Sequence, residues 1–254
     1  MNAPSNDPIG AGASKERFLI VNADDFGREP GISQGIIEAH VRGIVTSASF
    51  MVRWPSARAA ADASRSLPEL ALGLHVDLGE WISMRGHWIT RYEVVDANVR
   101  VAVENEVARQ LADFRRLVGR DPTHLDSHQH VHHEEPTRSV MSRMAQQLDI
   151  PLRGVTPGIH FCGAFHGQTA EGEPIPNAII LAGLRALLTE LPTGWSELGC
   201  HPGVGQDLPP PYQREREDEV AVLCNPSTRA ALSAERIRLA SFRDWGVGAS
   251  ELAR

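Results

Sequence analysis

Between Phe18 and Leu78 three extended segments alternate with two helical ones, and this order restricts the chain to a small set of folds. Phe18 to Phe26 opens with Phe-Leu-Ile-Val, an apolar and β-favouring run. Ile32 to His40 then places Ile32, Ile36 and Ala39 at helical spacing, with Gly43 available as a stop. Ile44 to Val52 favours the pleated state, Pro55 starts an Ala-rich helix reaching Ser66, and Leu70 to Leu78 is a third strand. Strands joined through helices pair in parallel, with the helices as crossovers. The fold class is therefore α/β.

The remainder continues the pattern less regularly. Gly79 to Ala102 mixes Trp81, Trp88 and Tyr92 with polar residues and predicts a long loop; its aromatic side chains either floor a sugar site or pin the loop down. Val103 to Val118 is an amphipathic helix stopped by Gly119. Pro122 to Ser127 predicts a strand, Arg138 to Leu148 a helix, Leu152 to Val155 a short strand, and Pro157 to Pro176 a loop. Ala178 to Leu191 is helical, and Ser196 to Cys200 is a strand running into His201-Pro202-Gly203. After the Pro-rich stretch Gln206 to Tyr212 come a helix over Arg216 to Leu223, a second one capped by Asn225 and Pro226, and a last strand over Ile237 to Ser241.

A chain of 254 residues suits one large α/β domain, and no change of composition divides it. Met1 to Ser14 is rich in Asn, Pro, Gly, Ala and Ser, which predicts a disordered tail over 1–16 and a folded domain over 17–254. The start lacks the basic and apolar regions of a signal peptide, and no apolar run is long enough to span a bilayer, so the expectation is a cytoplasmic protein with no transmembrane segment. Cys162, Cys200 and Cys224 fit reduced thiols. The formal charge of -7 is spread over mixed acidic and basic residues, so nothing suggests a nucleic-acid surface and no nucleic-acid partner is expected. No sequence feature fixes the oligomeric state, and a homodimer stays open.

Chemistry concentrates where strands end. Asp24 and Asp25 follow the first strand; because neighbouring strand residues face opposite ways, both reach one site only if the strand ends near them. His75 interrupts an apolar strand, where it is a core residue or a ligand. Thr123 to His133 holds five of the eleven histidines; in an extended backbone Asp126, His128, His130 and His132 share one face, roughly 6.6 Å apart. His201 directly follows a late strand. In a parallel barrel all these strand ends open on one face, and one carboxylate with two imidazoles leaves a metal with open coordination positions.

Taken in order, Asn22-Ala23-Asp24-Asp25-Phe26-Gly27, Gly35 to His40 with Gly43 to Ser47, Gly73-Leu74-His75, Pro122 to His132 and Cys200-His201-Pro202-Gly203 resemble the YdjC-like carbohydrate deacetylases, which include the chitooligosaccharide and hopanoid-associated deacetylases. The resemblance spans about Phe18 to Phe242. It implies a distorted, TIM-like parallel β/α barrel in a single domain, and a hydrolase that removes an acetyl group from an N-acetylated sugar, oligosaccharide or glycoconjugate. It implies one divalent metal, magnesium or zinc with manganese, cobalt and nickel also tolerated, on Asp25, His75 and His128. Asp24 becomes the general base, with the exchange of roles between Asp24 and Asp25 left open, and His201 the general acid. Asp126, His130 and His132 fall behind the ligands or against substrate.

Amide hydrolysis needs those functions in chemical terms: an activated water, stabilisation of the oxyanion, and a proton for the departing amine. Three other readings use similar residues. A facial Asp-His-His set also serves iron oxygenases, although the strand-helix alternation argues against their jelly roll. A phosphoesterase or another amidohydrolase is a second alternative, and a non-catalytic metal-binding protein, which needs no general base, is a third.

Overall fold

The computed structural model describes residues 16–84, 87–169, 175–205, 208 and 212–246; the tail expected over 1–16 lies outside these apart from Glu16, as does most of the Pro-rich stretch before Tyr212. In chain order the elements are β1 (Arg17–Phe26), α1 (Pro30–Val41), β2 (Ser47–Phe50), α2 (Ala57–Ser64), β3 (Ala71–Val76), β4 (Gly79–Met84), β5 (His87–Glu93) and α3 (Arg100–Val118). They continue with β6 (Leu125–Ser127), α4 (Thr137–Leu148), β7 (Ile159–Cys162), α5 (Leu181–Glu190), β8 (Gly194–Cys200), α6 (Gln213–Leu223), α7 (Pro226–Ala234) and β9 (Ile237–Ala240).

Seven strands pair in parallel in the order β6-β3-β2-β1-β8-β7, with β9 also on β1. β1 is central: Leu19, Ile20, Val21 and Ala23 have no solvent exposure, as a strand covered on both faces requires. β9 pairs with Arg17 to Ile20 and β2 with Asn22 to Phe26, so two strands share one edge of β1. The result is the distorted parallel β/α barrel, in one domain, that the sequence predicts. Among the described residues no helix is long and apolar enough to cross a membrane.

Two local features fix how helices pack and start. α1 starts at Pro30 and buries Ile32, Ile36 and Ala39, and its Gly35 lets it lie directly on the turn after β8: a Cβ there would stand 2.4 Å from the Gly203 Cα. Asn225 caps α7 by accepting from the Ser227 N–H at 2.9 Å.

Four expectations are corrected. The predicted loop from Gly79 contains an antiparallel hairpin, β4 with β5, and α3 begins at Arg100. Nearly every residue of β5 is exposed, so no burial alternation marks it, and β-favouring Trp88, Ile89 and Thr90 carry the only signal. Leu152 to Val155 contributes a single bridge, Leu152 to Leu125, and the predicted loop after Pro157 contains β7. His128 to His133 is a tight 3-10 turn with Gln129 and His130 at φ 52° and 55°, so its histidines do not share an extended face.

Candidate active site

β1 solves the problem of adjacent carboxylates with a bulge. Its register with β2 shifts between Ala23 and Phe26, and Asp25 takes a left-handed φ of 68°, which aspartate tolerates better than most residues. Alternation is broken at that point, and both carboxylates face the carboxyl end of the sheet, buried to 3% and 1% exposure.

Asp25 Oδ1 lies 3.8 Å from His75 Nε2 and 3.4 Å from His128 Nδ1, and it is buried with no hydrogen-bond partner. The ligating atoms of these three residues all fall within 4.8 Å of one another. A buried orphan oxygen facing two imidazole nitrogens is a donor set that suits a divalent cation. The other Asp25 oxygen accepts from Arg216. Burial raises the Asp25 carboxyl, but Arg216, His128 and Arg28 together hold it well below the usual carboxylate range. On the far side, His75 Nδ1 bonds Asp126 Oδ1 at 2.8 Å, which fixes the ring so that Nε2 points at Asp25. Burial pushes His75 down, yet Asp126 and Asp24 outweigh it and raise the ring to about 9.

Asp24 is held differently. Arg153, itself fully buried, donates to both its oxygens at 2.7 Å and to Glu197 Oε1 at 2.7 Å, and its Nη2 is ion-paired with Asp126 Oδ2 at 2.8 Å. Asn22 Nδ2 adds a bond to Asp24 Oδ1 at 3.0 Å. Against the upward push of burial, Arg153 keeps the Asp24 and Asp126 carboxyls below their ordinary value. At Glu197 burial, with Asp126 and Asp24 alongside, wins over Arg153 and raises the group to about 7. One guanidinium thus keeps two of its three neighbours ionised. The grouping of Asp24, His75 and Asp126 is close enough to hold an ion, but Arg153 and His75 Nδ1 already occupy its oxygens.

His201 Nε2 stands 3.7 Å from Asp24 Oδ2. Its backbone N–H donates to Glu219, whose Oε1 also accepts from the Tyr212 hydroxyl at 2.7 Å. Burial lowers the His201 ring to about 4 despite Asp24 and Asp25, so the resting imidazole is neutral near pH 7. The structure therefore brings Asp24, Asp25, His75, Asp126, His128 and His201 together at one end of the barrel.

The other histidines separate from them. His132 is buried with Nδ1 on Ser127 Oγ at 2.6 Å and Nε2 on the Arg153 carbonyl at 3.1 Å, so it shapes the backbone that carries Arg153. With both ring nitrogens engaged, it has none to offer the grouping with His130 and His133. His130 packs edge-on to Phe161 at 5.4 Å. His124 stacks on Phe242 at 3.8 Å and bonds Ser49 at 3.1 Å, a core role.

Sequence reasoning missed Arg153, Glu197, Arg216, Glu219, Arg28 and Glu80. Arg28 donates to Glu80 at 2.6 Å and comes within 3.4 Å of His128 Nε2. A charged residue inside a predicted strand was the available signal for Arg153 and Glu197. Arg216 and Glu219 sit in a charged run that reads as a solvated helix face.

The profile of the YdjC-like protein family matches residues 18–234. A carbohydrate deacetylase of Geobacillus stearothermophilus is 30% identical over 254 residues, covering 90% of this chain and 98% of that protein. A chitooligosaccharide deacetylase of Serratia marcescens is 34% identical over 257 residues, covering 90% and 99%. A crystal structure from Enterococcus faecalis, named for cleavage of cellobiose phosphate, matches with a TM-score of 0.74 at 26% identity and covers 90% of this chain and 98% of that one.

Proposed function

The chain belongs to the YdjC-like family, and from that premise we propose that it is a metal-dependent carbohydrate deacetylase acting on the acetamido group of an N-acetylated sugar or glycoconjugate. The observation that carries this reading is the orphaned Asp25 Oδ1 facing His75 Nε2 and His128 Nδ1, with Asp24 and His201 beside it. The names of the Geobacillus and Serratia relatives supply the substrate class.

In this reading Asp25, His75 and His128 hold one divalent cation. When bound, the cation supplies polarisation of the acetyl carbonyl and acidifies water. Asp24 has both oxygens on Arg153 and stays ionised, so it accepts the proton of the attacking water at a remaining lone pair. His201 is neutral at rest and must gain a proton before giving one. Its Nε2 faces Asp24 Oδ2, which makes the pair a path from water to the departing nitrogen. Asp126 orients His75, and Arg153 spreads its charge across the buried carboxylates.

The test is acetate release by zinc-, magnesium- and manganese-loaded protein from N-acetylglucosamine oligomers, acetamido monosaccharides and N-acetylated glycolipids. Release from at least one class is expected. No release from any would end the deacetylase reading.

A further inference from the structure

Arg216 belongs to the buried face of α6. Its neighbour Arg214 keeps 90% of its side-chain exposure, whereas Arg216 keeps 5% and runs inward from α6 to the site. Its Nη2 donates to Asp25 Oδ2, and its Nη1 donates to the backbone carbonyl of His201 at 3.1 Å. Its own carbonyl accepts from the Gly203 N–H at 3.2 Å, and its guanidinium lies 5.4 Å from the centre of the Tyr212 ring. The aliphatic stem fills the space over Gly203, where a Cβ would come within 3.2 Å of Arg216 Cδ. The side chain is locked at both ends.

A carboxylate has two oxygens, and a cation can take one or both. Here Oδ2 is committed to Arg216, whereas Oδ1 has no hydrogen bond; it is turned to His75 and His128, with Arg28 Nη1 3.9 Å away. The second arm of the same planar fork reaches the turn that carries His201. An ammonium at this position keeps the charge but lacks the two-pronged geometry.

We propose that Arg216 is a positioning residue that presents Asp25 as a one-oxygen ligand and ties the orientation of that carboxylate to the backbone of His201. It makes α6 part of the reaction centre without touching the cation or the substrate. The inference rests on the cation site proposed above. Removing an outer partner of a metal ligand typically lowers affinity or activity by about 10–100-fold, so R216Q and R216K are expected to fall in that range, with R216K the milder.

The experiment measures zinc chloride binding by calorimetry to chelator-treated wild type, R216Q, R216K and the exposed control R214Q. Turnover at saturating zinc is then measured on whichever acetamido sugar the wild type hydrolyses. Expected are a Kd about 10–100-fold weaker in R216Q, about 10-fold weaker in R216K, and unchanged in R214Q. At saturating zinc the kcat of R216K is expected to stay about 10-fold low with KM within about 3-fold, because His201 has lost its tie. Added guanidinium chloride at low millimolar concentration is expected to restore part of the zinc affinity of R216Q and none of that of a D25N control. Zinc Kd values equal to wild type in R216K or in folded R216Q overturn the inference; if R216Q does not fold, R216K decides alone. A wild type that binds zinc at none of these residues, read as equal affinity in wild type and D25N, overturns the cation site instead.

Discussion

Replacing Arg153 with methionine tests the electrostatic organisation of the whole site. The guanidinium makes three hydrogen bonds of 2.7 Å to Asp24 and Glu197 and a 2.8 Å ion pair with Asp126, and neither it nor its partners have meaningful access to water. Methionine fills a similar volume but leaves the carboxylates facing each other. Removing one partner of a buried ion pair costs about 3–5 kcal/mol. For a domain of this size each kcal/mol shifts Tm by about 2–4 °C, so the expected loss at pH 7.5 is about 6–20 °C.

The pH dependence identifies the cause. In the wild type Asp24 and Asp126 titrate below their ordinary value of 3.8, so their contribution is complete above that value and is lost as pH falls through the depressed folded-state values. Without Arg153 burial dominates and the same groups rise above 3.8, so the variant loses stability as pH rises. The gap in Tm between R153M and wild type, followed by circular dichroism melts, is therefore expected to be widest near pH 8 and to narrow toward pH 4. A variant melting within about 2 °C of wild type at pH 7.5, or a gap that does not change with pH, refutes the argument that Arg153 compensates these carboxylates.

Three further outcomes follow from the same geometry. D24N is expected to retain zinc affinity within about 3-fold while losing roughly 10²–10⁴ in kcat, measured by calorimetry and acetate release; full turnover would remove Asp24 from the base role. D25N is expected to abolish zinc stabilisation: wild type at zinc 100-fold above Kd gains about 2.7 kcal/mol, or about 5–11 °C, and an equal gain in D25N would place the ion elsewhere. Burial raises Glu219 from 4.5 to about 8, so its stabilising contribution is complete below 4.5 and is lost as pH climbs through 8. E219Q is expected to lose less Tm than wild type between pH 6 and 9, and parallel curves would contradict the raised value.

The barrel was legible because its cause is local. β1 and β3 hold apolar runs bounded by polarity, and α1 and α3 carry stripes at helical spacing, so each could be read from its own residues. The β4–β5 hairpin was not, since β5 is exposed along nearly its whole length and leaves no burial pattern to read. The same division runs through the site. Asp24, His75 and His128 stood out as polar groups at strand ends, whereas Arg153 and Arg216 matter through partners 129 and 191 residues away in sequence. No spacing rule reaches that far. The histidine-rich segment misled for the opposite reason: density drew attention to His130 and His132, while the left-handed turn at Gln129 and His130 sends His128 alone to Asp25.

Charge compensation also distinguishes the two aspartates, whose exchange of roles the sequence left open. Both are buried carboxylates at the end of one strand, and each needs a cation to stay ionised there. Asp24 is satisfied by a fork that takes both oxygens, which leaves no oxygen wholly free but keeps the group ionised and fixed beside His201. Asp25 is hydrogen-bonded through one oxygen only, and the other has no hydrogen bond, between two imidazoles and 3.9 Å from Arg28. A metal ligand needs a free oxygen among other donors, whereas a base needs a fixed carboxylate near the proton path. In the proposed reaction the two aspartates divide according to how many of their oxygens an arginine bonds. In that proposed reaction the Arg153 fork fits Asp24 to accept the proton, and the Arg216 bond to one oxygen fits Asp25 to hold the cation.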